Sequence, residues 1–157
     1  MQPQASLKEP QMKTVAQILK TKQNQAVYTI SPGAKVFDAI KMMSEHSIGA
    51  LLVTEGEVIV GIVTERDYAR KMILKGRSST DTSVRDIMTS SVMYVRPEDS
   101  NEQCMALMTE NRLRHLPILD NGKLIGIISI GDLVKDIISE QQFIIQQLEH
   151  YIMGHPA

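Results

Sequence analysis

Apolar residues recur along this chain with two alternating periods. Val36, Phe37, Ile40 and Met43 repeat at helical spacing and predict an amphipathic helix over about 34–46. Cys104, Met105 and Met108 mark one face of a second helix of the same kind. Short apolar runs at 50–53, 58–63, 116–119 and 124–128 read as strands. Glu55-Gly-Glu and Asp120-Asn-Gly-Lys separate them in pairs, and Asn-Gly is a strong hairpin signal. Two further β-prone segments, 28–31 and 93–96, halt at Pro32 and Pro97, where the missing N–H ends a ladder. Helices are expected to start at Thr64 and Ser129. Beyond them Ile137, Ile144, Ile145, Leu148, Tyr151 and Ile152 recur at 3, 4 and 7, predicting a long C-terminal amphipathic helix. Its stripe needs a cover, either a partner subunit or its own domain.

These elements come twice. Shifted by 65 positions, residues 29–67 fall on 94–132 without a gap. Identities are Pro32/Pro97, Met43/Met108, Glu45/Glu110, Leu51/Leu116, Gly61/Gly126, Ile62/Ile127 and Asp67/Asp132. Most of the other strand positions exchange one aliphatic residue for another. Upstream, Val15-Ala-Gln-Ile-Leu matches Val84-Arg-Asp-Ile-Met at a shift of 69. Each copy reads β-α-β-β-α, and neither has enough strands to cover its own sheet. The expected division is a flexible N-terminus at 1–12, repeat 1 at 13–74, a polar linker at 75–83, repeat 2 at 84–138, and a C-terminal helix and tail at 139–157.

Composition narrows the class. With 157 residues the chain buries a core without disulfide or metal support. Seventeen basic residues against 18 acidic ones leave a net charge of −1, without the footprint of a nucleic-acid or anionic-membrane binder. No apolar run approaches membrane-spanning length, and the first residues lack the apolar stretch of a secretory signal. A soluble cytoplasmic protein is the expectation. The lone Cys104 falls on an apolar helix face and reads as core. His46, His115, His150 and His155 stand at no metal-ligand spacing. Glycine-rich phosphate loops and nucleophile constellations are absent, so no enzyme is expected.

The motif with most chemical content is Gly61-Ile-Val-Thr64-Glu-Arg66-Asp67, repeated as Gly126-Ile-Ile-Ser129-Ile-Gly-Asp132. A hydroxyl residue with an acid three positions later is a capping box, which closes the first turn of a helix. A carboxylate at a strand-to-helix junction can also accept both hydroxyls of a ribose, beside a helix start that favours phosphate. The two roles are compatible.

The repeat pattern, the strand–Pro entries and the Gly-Ile-x-[Thr/Ser]-x-x-Asp endings resemble tandem CBS domains, the Bateman module, over roughly residues 14–138. Arg112-Leu-Arg114-His115-Leu-Pro117-Ile is similar to the family's entry into its second hairpin. The resemblance implies an α+β fold of two CBS repeats packed about a pseudo-two-fold axis, with adenosine compounds held in the clefts. It implies ribose contacts from Asp67 with Thr64 and from Asp132 with Ser129. It also implies adenine walls at Ile30 and Val95, and phosphate contacts from Arg114 and His115. The copies differ at those phosphate positions, where the first has Gly49 and Ala50, while the first alone carries Arg66 in the ribose loop. Unequal sites follow.

The expected function is a non-catalytic regulatory, signal-transduction module binding AMP, or alternatively ADP, ATP, NAD(H) or S-adenosylmethionine. The expected assembly is a homodimer that acts on a regulated protein not encoded here. The competing reading is a structural dimerisation scaffold whose Thr64 and Ser129 are helix caps only.

Overall fold

The computed structural model describes residues 13–22 and 26–153. The expected flexible segment 1–12, and His155 in the tail, lie outside the described residues. In order the elements are α1 (Val15–Thr21), β1 (Thr29–Ile30), α2 (Val36–His46), β2 (Ala50–Glu55), β3 (Val58–Thr64) and α3 (Glu65–Lys71). They continue as α4 (Asn101–Asn111), β4 (His115–Asp120), β5 (Lys123–Ser129) and α5 (Ile130–Met153). Short 3-10 turns lie at Ile73–Lys75 and Val84–Asp86. The fold is α+β, with the order β-α-β-β-α in the first repeat and α-β-β-α in the second, whose last helix is the long C-terminal one. No helix of the described residues is long and apolar enough to cross a membrane.

The hairpin reading matches the backbone. Asn121 and Gly122 both have positive φ, 50° and 80°, as a two-residue turn of the type favoured between strands requires. Two expectations need correction. Residues 93–96 form no strand, and only Val95 pairs, in a single parallel bridge with Ile118. Phe37, read as part of the buried face of α2, is 52% exposed. The buried positions of α2 are Val36, Ala39 and Met43, and Phe37 lies outside that stripe.

The described residues group into two compact units: 26–94 with 121–125, and 13–22 with 95–120 and 126–153. In the first, β1 runs parallel to β2 and β2 antiparallel to β3, giving the order β1-β2-β3. Val36, Ala39 and Met43 pack there with Leu51, Val53 and Val63. Val84 and Ile87, which lead into the second repeat, complete this core. The linker is held as well: the N–H groups of Val36 and Phe37, at the uncapped start of α2, donate to the carbonyls of Thr82 and Ser79.

In the second unit Leu116 and Ile118 of β4 and Ile128 of β5 pack with Cys104 and Met108 of α4 and Leu133 of α5. Here the segment leading into the first repeat completes the core, through Val15 and Ile18 of α1. Burying two such side chains contributes roughly 1.5–3 kcal/mol each. The sequence repeat and the packing therefore divide the chain differently, because each leading segment packs with the opposite copy.

The repeated glycine of the motif explains how those segments seat. A Cβ on Gly61 would meet Met88 Sδ at 2.6 Å, and one on Gly126 would meet Leu19 Cδ1 at 2.9 Å. Met88 and Leu19 are equivalent residues of the two leading segments. A side chain at either glycine would force these residues to shift from where they sit.

Candidate functional site

Each copy of the motif places its hydroxyl residue at a strand end and its acid in the first turn of a helix. In the unit of the first repeat, Thr64 caps α3 and the capping box is closed in both directions. The Thr64 N–H and hydroxyl donate to Asp67 Oδ2 at 3.0 and 3.1 Å, and the Asp67 N–H donates to Thr64 Oγ1 at 3.2 Å. The other oxygen is occupied too. The Thr89 hydroxyl donates to Asp67 Oδ1 at 3.3 Å, and Lys71 Nζ stands 3.1 Å from it. Both carboxylate oxygens of this buried Asp67 thus have partners.

In the unit of the second repeat the arrangement is looser. The Ser129 N–H donates to Asp132 Oδ2 at 2.8 Å, and the Asp132 N–H donates to Ser129 Oγ at 3.2 Å. Lys22, the C-cap of α1, supplies the counter-charge, with Nζ 3.1 Å from the same Oδ2. That ammonium also donates to the Ile127 carbonyl at 2.7 Å. Among the described residues the polar contacts of the Asp132 side chain fall on Oδ2, in contrast to Asp67.

Arg114 and His115 lie beside this carboxylate. The Ile130 N–H, at the start of α5, donates to the Arg114 carbonyl at 2.9 Å, which ties the entry of β4 to the helix that carries Asp132. Burial pushes the His115 pKa below its ordinary value, Lys22 and Arg114 push it the same way, and Asp132 opposes them. Four of the expected residues, Arg114, His115, Ser129 and Asp132, therefore share one neighbourhood with Lys22. The first repeat has Gly49 and Ala50 where these basic groups stand.

The remaining expected residues are placed less suggestively. Ile30 and Val95 are core residues, 8% and 1% exposed, paired with β2 and bridged to Ile118 respectively. Arg66 is exposed on the first turn of α3. An open cleft of about 530 Å³ lies between the end of α2 and the start of α3, lined by residues including Met43, Gly49 and Tyr68. A second, of about 390 Å³, is lined by Arg77, Ser78, Asp81, Thr82 and Asp86. Neither is lined by any of the expected ligand-binding residues, although the first includes Glu65 of the motif.

Three participants were not singled out by the sequence pattern: Lys71, Thr89 and Lys22. Lys71 had a signal, since it stands four residues after Asp67 and so on the same helix face. Lys22 had none, being 110 positions away from Asp132 and brought there only by the packing of α1.

The model of the CBS domain matches residues 15–74 and 84–139. A mitochondrial CBS domain-containing protein of Arabidopsis thaliana is 45% identical over 124 residues, which is 76% of this chain and 60% of that protein. The chain thus spans less than two thirds of that relative. A solved CBS-domain protein from Burkholderia ambifaria is 60% identical, with a TM-score of 0.80 over 82% of this chain and 96% of that one. The hexameric CBS-CP12 protein of bloom-forming cyanobacteria is 32% identical, with a TM-score of 0.70 over 80% of this chain and 72% of that one.

Proposed function

Because the chain belongs to the CBS domain family, whose members are generally regulatory, non-catalytic modules, we propose that it senses an adenosine nucleotide, AMP first, at the Asp132 site of its second repeat. The observation that carries this reading is the uneven engagement of Asp132. One carboxylate oxygen holds the helix cap and Lys22, so the other can accept a ribose hydroxyl without breaking the cap. Arg114 and His115 lie near this carboxylate, and basic groups there suit a phosphate. The Asp67 site is the weaker of the two, since a ribose there must first displace Thr89 or Lys71. Both sites lack catalytic demands: binding alone shifts a conformational equilibrium, by as much as the ligand's affinity differs between the two states.

A thermal-shift series with AMP, ADP, ATP, NAD, NADH, S-adenosylmethionine and a guanosine control tests the reading. A ligand at 100 times its Kd stabilises the fold by about 2.7 kcal/mol, several degrees for a chain of this size. The reading predicts such a shift with AMP and its loss in Asp132→Asn, which keeps an oxygen for the cap. A shift with another adenosine compound renames the ligand. The absence of any shift in ligand-free protein returns Thr64 and Ser129 to the role of helix caps.

A second element of the proposal is a homodimer formed through α5. The apolar stripe expected on this helix is not covered by its own unit: Ile145, Leu148, Tyr151 and Ile152 are exposed. An exposed apolar helix face suits a twin subunit, and the hexameric state of the cyanobacterial CBS-CP12 protein supports assembly.

A further inference from the structure

The exposed apolar residues of α5 follow a pattern of their own. Val134, Ile138, Ile145, Leu148 and Ile152 are all exposed and fall, with Gln141, at alternating steps of four and three. That spacing is a heptad seam, with Ile138, Ile145 and Ile152 at a and Val134, Gln141 and Leu148 at d. The seam runs about 27 Å along the helix. A different face is turned to the chain's own unit, where Leu133 and Asp136 are buried and Ile137 and Ile144 half-buried. One flank of the seam, at e, holds Lys135, Gln142 and Glu149, all exposed. The other flank, at g, holds Ile137, Ile144 and Tyr151. Among the described residues neither Lys135 nor Glu149 has an ion-pair partner in its own chain.

We propose that α5 pairs antiparallel with α5 of a second copy, in the register that sets Ile138 against the partner's Leu148. This rests on the homodimer reading above and adds its direction and register. The flanking charges decide the direction. In a two-fold antiparallel pair centred near Phe143, each e position faces an e position of the other helix. Lys135 then meets the partner's Glu149 at both ends of the seam, and Gln142 meets its own copy on the axis. The g positions face one another too, with Ile144 against its own copy. One flank is thus wholly apolar and the other wholly polar, in keeping with the half-buried Ile137 and Ile144 and the exposed Lys135 and Glu149. A parallel pair sets e against g instead, with Lys135 against the partner's Ile130 and Glu149 against the partner's Ile144. It gains one amide contact, Gln141 with its own copy, and loses two ion pairs. Because Asp132 stands in the first turn of the same helix, the antiparallel pair holds the two Asp132 residues at opposite ends, roughly 33 Å apart along the axis.

The test applies sedimentation equilibrium and disulfide trapping to the full chain. Lys135→Glu and Glu149→Lys are each expected to raise the dimer's dissociation constant by roughly tenfold at low salt, since each turns two ion pairs into two like-charge contacts. The double variant, Lys135→Glu with Glu149→Lys, is expected to restore it. Gln141→Cys co-expressed with Ile145→Cys is expected to give a disulfide-linked dimer, because the two positions share a layer, while neither variant links to itself. The buried Cys104 is a common background in every variant. Melting temperatures show that each variant is folded. Self-linking of Gln141→Cys or Ile145→Cys alone overturns the antiparallel register. So does a double charge variant no tighter than the single ones, in a dimer that Leu148→Glu with Ile152→Glu disrupts. Either result leaves the homodimer through α5 standing. A dimer that Leu148→Glu with Ile152→Glu leaves intact, or a wild type that is only monomeric, overturns both.

Discussion

Lys71 and Asp136 occupy equivalent positions of the two repeats, one helical turn after Asp67 and Asp132, and carry opposite charges. Lys71 therefore pairs with its own helix's acid at 3.1 Å. Asp136 cannot, and instead lies buried against Asn101, whose Nδ2 donates to its Oδ2 at 2.8 Å, with Lys13 Nζ 3.5 Å from its Oδ1. The counter-charge for Asp132 has to come from elsewhere, and α1 brings it as Lys22. One charge reversal thus turns a symmetric repeat into two unequal sites, one whose acid is saturated within its own surroundings and one whose acid depends on a distant lysine.

The seating of the leading segments on the repeated glycines predicts graded costs of substitution. At Gly61 an added methyl meets Met88 Sδ and also the Thr89 carbonyl at 3.0 Å, and backbone does not move aside easily. At Gly126 the neighbours are the methyl ends of Leu19 and Ile118. Gly61→Ala is expected to destabilise by about 1–3 kcal/mol, and Gly126→Ala by less. Urea unfolding of the two variants measures the order, and a larger loss for Gly126→Ala contradicts this packing.

His115 predicts a pH dependence. Its pKa is lowered in the fold, chiefly by burial and then by Lys22 and Arg114, with Asp132 opposing. The unfolded chain therefore binds a proton more readily than the folded one. The stability contributed by the neutral imidazole is complete above the unfolded value of about 6.5 and is lost as pH falls from there through the folded pKa. His115→Gln is expected to reduce the loss of stability below that pH. A bound phosphate adds a negative charge nearby and is expected to raise the His115 pKa, which imidazole proton NMR reads directly. A downward shift on addition of AMP contradicts the placement of phosphate beside this residue.

Much of this was legible in the sequence, for identifiable reasons. The hairpins announced themselves because Asn121 and Gly122 suit the positive φ that the turn demands. The caps were legible because Thr64/Asp67 and Ser129/Asp132 have the spacing of one helical turn. Segment 93–96 misled because β propensity describes a residue's fit to a sheet, and only Val95 finds a neighbouring strand. Val15 and Val84 begin matching segments, yet one is a helix and the other a 3-10 turn. Thr14 and Gln17 close a capping box for the first, whereas the Ser83 side chain makes no capping bond. Lys22 was invisible because no local period encodes a contact made across 110 positions.

Cys104 is expected to be inert in the folded chain. It is wholly buried in the core with Met108 and Leu116, and burial, aided by Asp99, pushes its thiol pKa up to about 11. At pH 8 the thiolate that reacts with disulfide reagents is scarce as well as shielded. A chromogenic disulfide reagent is expected to label it only after denaturation, and rapid labelling of native protein contradicts the position of α4 in the core.

The uncovered stripe of α5 predicts self-association. Sedimentation velocity at micromolar concentration is expected to show a dimer or larger assembly for the wild type, shifted to monomer by Leu148→Glu with Ile152→Glu. Neither side chain belongs to its own unit's core, so the melting of the isolated subunit is expected to change little. A wild type that sediments only as a monomer contradicts the homodimer.

The most direct test of the central claim is the calorimetric titration of AMP into wild type, Asp132→Asn and Asp67→Asn. The predicted result is binding to the wild type that Asp132→Asn weakens by at least about tenfold, as loss of a charged acceptor implies, while Asp67→Asn leaves the tighter phase in place. Binding that survives Asp132→Asn unchanged, or that disappears with Asp67→Asn instead, contradicts the assignment of the nucleotide site to the second repeat.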